Sequence, residues 1–194
     1  MYQLGSHNSW SYLPVKKWWM KPLRFTAQCQ DVNIITQYGD YNVRCFDLRV
    51  RFDKHKLIIA HGIIEYNISE QLFYSTLDLL NCFGDVSIRV VHEIRNKRQY
   101  TEERINQFIT FCSQLEEKYP NIKFWYGMNL LSKQTIDYKF DYNPSCEEIY
   151  SSVCKPKLID DWYPRWFAKN NNEDILKKGT DKDILLIDFV NYGH

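Results

Sequence analysis

Apolar and polar positions alternate from Val43 to Phe52. Phe46, Leu48 and Val50 fall on one face of a strand, and Asp47, Arg49 and Arg51 on the other. Such a face is either an ordinary solvated surface or the floor of a pocket that places a guanidinium beside a carboxylate. The polar run Asp53-Lys54-His55-Lys56 predicts a turn, and the apolar run Leu57 to Ala60 predicts a second strand closed by His61-Gly62. Before these strands, Val32, Ile35 and Tyr38 recur at helical spacing within Ala27 to Tyr38, and Gly39 ends them. Ser69 suits an N-cap before the stripe Leu72, Phe73, Leu77 and Leu80. After a turn at Gly84-Asp85, Val86 to Ile94 predicts a strand. Thr101 opens a helix with Ile105, Phe108, Ile109, Cys112 and Leu115 on one face, stopped at Pro120. Ile122 to Tyr126 and Ile184 to Val190 predict two more strands.

Strands that alternate with helices imply parallel strands joined by crossovers. The expected fold is α/β, a distorted and shortened (β/α) TIM-type barrel in a single domain over residues 1–194. It is shortened because a full barrel uses about 250 residues. Residues 129–183 also offer no firm strand. Asn143-Pro144 is a turn, Cys146 to Cys154 a short helix or strand, Asp160 to Lys169 an aromatic stretch broken at Pro164, and Asn170 to Asn172 a loop.

Composition narrows the function. A net charge of +1 gives no global electrostatic case for nucleic acid. No apolar run approaches the eighteen or so residues of a membrane span. Without an apolar signal core the chain is expected to be cytoplasmic as written, or secreted if a leader has been removed. The six cysteines lack the close pairing of zinc motifs, and Cys45 and Cys112 suit buried free thiols. Within Ser11 to Phe25, basic Lys16, Lys17, Lys21 and Arg24 interleave with Trp18, Trp19, Met20 and Phe25. That composition suits either a membrane surface or tryptophans folded into the core.

His61 with Gly62 at a strand end, and His7 in the small-residue turn Gly5-Ser6-His7-Asn8-Ser9, are the candidate chemical groups. The ordered set GSHNSW, CFDLRV, IIAHG and DILLIDFVN resembles the bacterial phosphatidylinositol-specific phospholipase C family. It covers residues 1–94 and 183–191. The resemblance implies a distorted β/α barrel and cleavage of a phosphodiester by the inositol 2-hydroxyl, giving diacylglycerol and a cyclic inositol phosphate. By the same resemblance His7 is the general base and His61 the general acid. Asp188 pairs with His7, Arg49 holds the phosphate, and Asp47 orients Arg49 or His61. Asn8, Glu93 and Arg95 would contact substrate, and Trp18 and Trp19 the bilayer.

Asn8 departs from the Asp usual in the bacterial motif and matches a ligand of calcium-dependent relatives. Those relatives carry a carboxylate where this chain has Arg49, so no cofactor or catalytic metal is expected. Asn8, Asp47 and Glu93 remain a conceivable set of oxygen ligands. His55 and His92 are not expected to be catalytic. The expected partner is a phospholipid headgroup or another phosphodiester, with peripheral membrane contact. The oligomeric state is open, with a monomer favoured. The competing readings are a glycerophosphodiester phosphodiesterase-like enzyme and a catalytically silent lipid- or protein-binding barrel. His-Asn-Ser and Asp-Leu-Arg argue against the first.

Overall fold

Both faces of the strand Val43–Asp53 (β2) are buried. From Cys45 to Phe52 no residue exceeds 9% exposure. Strands buried on both faces belong to parallel sheets covered by crossover helices, and β2 is the centre of such a sheet. The structure, a computed structural model, describes residues 1–53, 56–93, 101–127, 138–154 and 163–193. Gln3–Ser6 (β1) lies parallel to β2 on one side, and Ser87–His92 (β5) on the other. Lys123–Gly127 (β6) continues beyond β5. On the other flank Ile184–Ile187 (β8) pairs with β1, and Cys146–Ile149 (β7) pairs with β8. The parallel order is thus β7-β8-β1-β2-β5-β6, a curled part-barrel with no pairing of β6 to β7 among the described residues. Lys56–His61 (β3) folds back antiparallel on the far half of β2, and Ile64–Glu65 (β4) pairs with β3.

The two faces of β2 do different work. Phe46, Leu48 and Val50 join the large apolar core with Trp10, Phe73, Leu77 and Phe108. Phe73 and Leu77 come from the helix Glu70–Phe83 (α2), capped by Ser69, whose side chain accepts from Leu72 N–H. Leu72 itself, expected on the buried stripe, is half exposed. Phe108 comes from Glu102–Lys118 (α3), capped by Thr101, with Phe111, Cys112 and Leu115 on the same face. On the inner face Cys45 packs with Trp125 and Ile184 as a small apolar plug. Gly5 is needed there, since a Cβ on it would lie 2.9 Å from Leu186 Cδ1 and 3.2 Å from Cys45 Cβ. Beyond the plug, toward the C-terminal strand ends, the interior turns polar.

Three expectations need correction. The helix expected over Ala27 to Tyr38 is confined to Ile34–Gly39 (α1), capped by Asn33, and Ile35 on the supposed apolar stripe is exposed. Residues 27–32 instead run irregularly through the interior, because Cys29 and Gln30 N–H both donate to the buried Ser11 Oγ. Pro164 does not break an element. It opens the helix Pro164–Lys178 (α5), where its missing N–H is no loss. The Asn170 to Asn172 run lies inside α5. Asn170 and Asn171 donate to the carbonyls of Trp166 and Phe167, and Asn172 donates to Asp188 O and Phe189 O. Cys146 to Cys154 holds both β7 and the short helix Ser151–Cys154 (α4). The cysteines are free thiols, with Cys45 and Cys112 buried. No helix of the described residues is long and apolar enough to cross a membrane.

Candidate active site

Parallel strands deliver side chains to the C-terminal edge of the sheet. His7 follows β1, Asp188 follows β8, Glu93 follows β5, and Arg49 lies in the far half of β2. His61 arrives by a different route, at the end of the antiparallel β3. The turn after β3 is held by one side chain from β2 and one from just beyond β5. Gly62 takes a positive φ of 55°, its N–H donates to Glu93 Oε1 at 2.8 Å, and its carbonyl accepts from Arg51.

His7 is 2% exposed. Its Nδ1 lies 2.6 Å from Asp188 Oδ1, while Nε2 has no hydrogen-bond partner and stands 3.9 Å from Asp47 Oδ2. The His61 ring meets His7 edge-on, with centroids 5.4 Å apart. His61 Nδ1 lies 3.0 Å from Ala27 O, so the hydrogen bond assigns that nitrogen the proton and leaves Nε2 to the pocket. Arg49 Nε donates to Asp47 Oδ2 at 2.8 Å, and its Nη1 approaches Glu93 Oε2 at 3.5 Å. Asp47 Oδ2 also accepts from Asn8 N–H at 2.9 Å. Of Arg49 and His61, the expected partners of Asp47, Arg49 is the one hydrogen-bonded to it. Asn8 donates to Ala27 O at 3.2 Å and leaves Oδ1 unpartnered. The oxygen set Asn8, Asp47 and Glu93 is interrupted by a guanidinium, because both carboxylates face Arg49.

The electrostatics follow from burial. Desolvation, with the nearby Arg49 charge, holds the His7 and His61 imidazoles below their ordinary range. Burial pushes the Asp188 carboxyl up to about 8. The 2.6 Å contact of His7 with Asp188 couples the two groups, so the position of a proton between them is a property of the pair. Burial opposes ionisation of Asp47 too, but Arg49 and Arg89 outweigh it and hold that carboxyl below the usual range.

Several participants were not singled out in the sequence. Arg89, inside β5, lies 3.7 Å from Asp47 Oδ1 and pairs with Glu148 at 2.7 Å. Gly127 leaves it room, since a Cβ there would sit 2.1 Å from Arg89 Nε. Tyr150 donates to Glu148 and stacks flat on His7. Gln30 ties the strand ends together, donating to His7 O and Ile187 O and accepting from Val190 N–H. Cys29 is fully buried, with Sγ 3.7 Å from His61 Nδ1. A charge in an apolar strand was the one available hint, at Arg89.

Arg95 and His55, the latter not expected to be catalytic, lie outside the described residues. His92 points away from the site and stacks on Phe108 at 4.7 Å. A cavity of about 320 Å³ lined by Lys16, Lys17, Arg51, Glu65 and Glu93 backs onto the hairpin tip. A larger one of about 890 Å³, lined by Phe52, Ile59, Phe73 and Phe111, lies between β3, α2 and α3, where none of the paired site groups reaches.

Trp18 and Trp19 open a 3-10 segment, Trp18–Thr26, and are 74% and 58% exposed. The segment runs directly into Ala27, whose carbonyl accepts from His61 and Asn8. Phe25 stacks on Tyr163, and the exposed Trp166 follows on α5.

No family model matches the chain, and no curated protein matches it. Among solved structures, the phosphatidylinositol-specific phospholipase C from Listeria monocytogenes aligns with a TM-score of 0.59 and 16% identity, over 97% of this chain and 88% of that one. At this identity the likeness is one of fold, and it relates the curled part-barrel described here to the fold of that enzyme.

Proposed function

We propose that this protein is a phosphodiesterase that cleaves an inositol phospholipid by internal transfer. The reading rests on one observation: two buried imidazoles, 5.4 Å apart, share a pocket with the Arg49 guanidinium, and each is oriented by its own acceptor. The fold likeness to a phosphatidylinositol-specific phospholipase C supports it.

In this reading His7 Nε2 takes the proton of the substrate hydroxyl beside the phosphate. That oxygen attacks phosphorus, and the bond from phosphorus to the glycerol oxygen breaks. His61 Nε2 delivers a proton to the departing alkoxide, so diacylglycerol leaves and a cyclic inositol phosphate remains. Asp188 keeps the His7 ring turned correctly and balances its charge while it holds the proton. Arg49, locked by Asp47 and Glu93, faces the phosphoryl oxygens as charge builds there. The bound phosphate opposes the depression of both imidazoles by adding negative charge beside them. No step calls for a metal ion.

The test is phosphorus NMR of a soluble inositol phosphodiester incubated with the protein. Cyclic phosphate should form first, and neither His7→Ala nor His61→Ala should produce it. If intact, folded protein leaves the ester uncleaved, the silent-barrel alternative holds.

A further inference from the structure

Cys29 has no part in the proposed reaction, yet it sits among the groups that do. Its backbone is pinned from both sides. Its N–H donates to Ser11 Oγ at 2.9 Å, and its carbonyl accepts from Phe189 N–H at 2.6 Å, directly after Asp188. The thiol is thereby held against the His7–Asp188 pair. One donor atom each from His7, Cys29 and Asp188 lies within 4.8 Å of the others, and all three residues are buried. One further ligand atom is unsatisfied: Asp188 Oδ2 has no hydrogen-bond partner. Imidazole, thiolate and carboxylate form a donor set suited to zinc.

We propose that His7, Cys29 and Asp188 form an inhibitory binding site for zinc and similar thiophilic divalent ions. Bond lengths of 2.0–2.3 Å in a tetrahedron separate ligand atoms by about 3.3–3.6 Å. The 2.6 Å contact of His7 with Asp188 would open by under about an ångström, and separations of up to 4.8 Å would close by at most about 1.5 Å. Binding displaces the proton between His7 and Asp188 and the proton of the thiol. A water completes the tetrahedron on the pocket side. The hard ions calcium and magnesium, which prefer sets of six or more oxygens, are poorly served by one carboxylate, a sulfur and a nitrogen. The ligands come from three segments far apart in sequence, so no spacing motif announces them. That the ion inhibits rests on the reaction proposed above, since it takes the base and its partner together. That it binds does not.

Cobalt(II) reads the site without any turnover. Added to the protein, it should give the near-ultraviolet absorption of a thiolate–cobalt bond. Zinc should abolish the band, and calcium should leave it. Cys29→Ala should remove the band, and Asp188→Asn should weaken cobalt binding at least several-fold while the thiol remains. Circular dichroism verifies that each variant is folded. Zinc should also raise the melting temperature of the parent protein and inhibit its turnover, with EDTA restoring both. A parent protein without the band, or a band that survives Cys29→Ala, overturns the site. Zinc that binds through Cys29 but activates turnover overturns its inhibitory role. If no turnover is ever found, the cobalt band still decides the site separately from the reaction.

Discussion

Tyr150 lies flat against His7, with ring centroids 3.7 Å apart and planes 2° apart. The ring covers the face of the proposed base, and its hydroxyl is held by Glu148, which in turn pairs with Arg89. The stack helps to bury the imidazole, which is 2% exposed. Tyr150→Ala should therefore expose His7 to modification by diethyl pyrocarbonate, and mass spectrometry should find it labelled several-fold faster than in the parent. Equal labelling rates would mean that some other residue shields the imidazole.

Arg49 is a planar fork locked by two carboxylates, and a point charge cannot replace it. Arg49→Lys should cost roughly 2.7–4 kcal/mol in kcat/KM, by analogy with removal of an oxyanion donor. Turnover of a soluble inositol phosphodiester measures it. A loss that appears only in KM would show that Arg49 binds substrate without stabilising the transition state.

How much of this was legible in the residues depends on how each is brought to the site. Asp47 and Arg49 were legible because strand alternation alone puts them on one face, and His61 because Gly62 marks a strand end. The same alternation could not say whether that face was wet, and both faces proved buried. Cys29 was hidden because its stretch looked helical, whereas bonds to Ser11 Oγ override that spacing. Tyr150 was hidden because it follows a four-residue strand that exists only through pairing with β8. The asparagines of α5 read as a loop because Asn favours turns. Their side chains here bond to helix carbonyls and to the end of β8 instead.

His92 gives a stability prediction separate from the site. Buried between Phe52 and Phe108, and facing Arg104 of α3 and Arg51 of β2, its imidazole is pushed from 6.5 down to about 4 by burial and then by those charges. The unfolded chain therefore binds more protons between these values. The contribution is complete above pH 6.5 and is lost as pH falls toward 4, by about 3 kcal/mol in all. His92→Phe keeps the stack on Phe108 and cannot be protonated. Urea titrations across that window should show a shallower fall for the variant. Parallel curves would assign the acid sensitivity to other groups.

The exposed pair Trp18 and Trp19 predicts a split between substrates. Each ring taken out of water by lipid could contribute on the order of 1.5–3 kcal/mol. Replacing both with Ala should weaken binding to anionic vesicles and slow cleavage of bilayer lipid. A short soluble ester should be cleaved at nearly the parent rate, since neither ring touches His7, His61 or Arg49. Equal slowing on both substrates would remove the membrane role.

The contact between His7 and Asp188 joins positions 181 apart in sequence. It has a consequence for the timing of biosynthesis. Domains generally fold as units, and synthesis runs from the N-terminal side. The hairpin that carries Arg49 and His61 is made more than a hundred residues before Asp188, the partner of His7. Throughout that interval a nascent protein holds two histidines and an arginine and still lacks an oriented base. Any reaction that depends on that base begins only when β8 zips onto β1, so a ribosome stalled before Asp188 displays a silent chain.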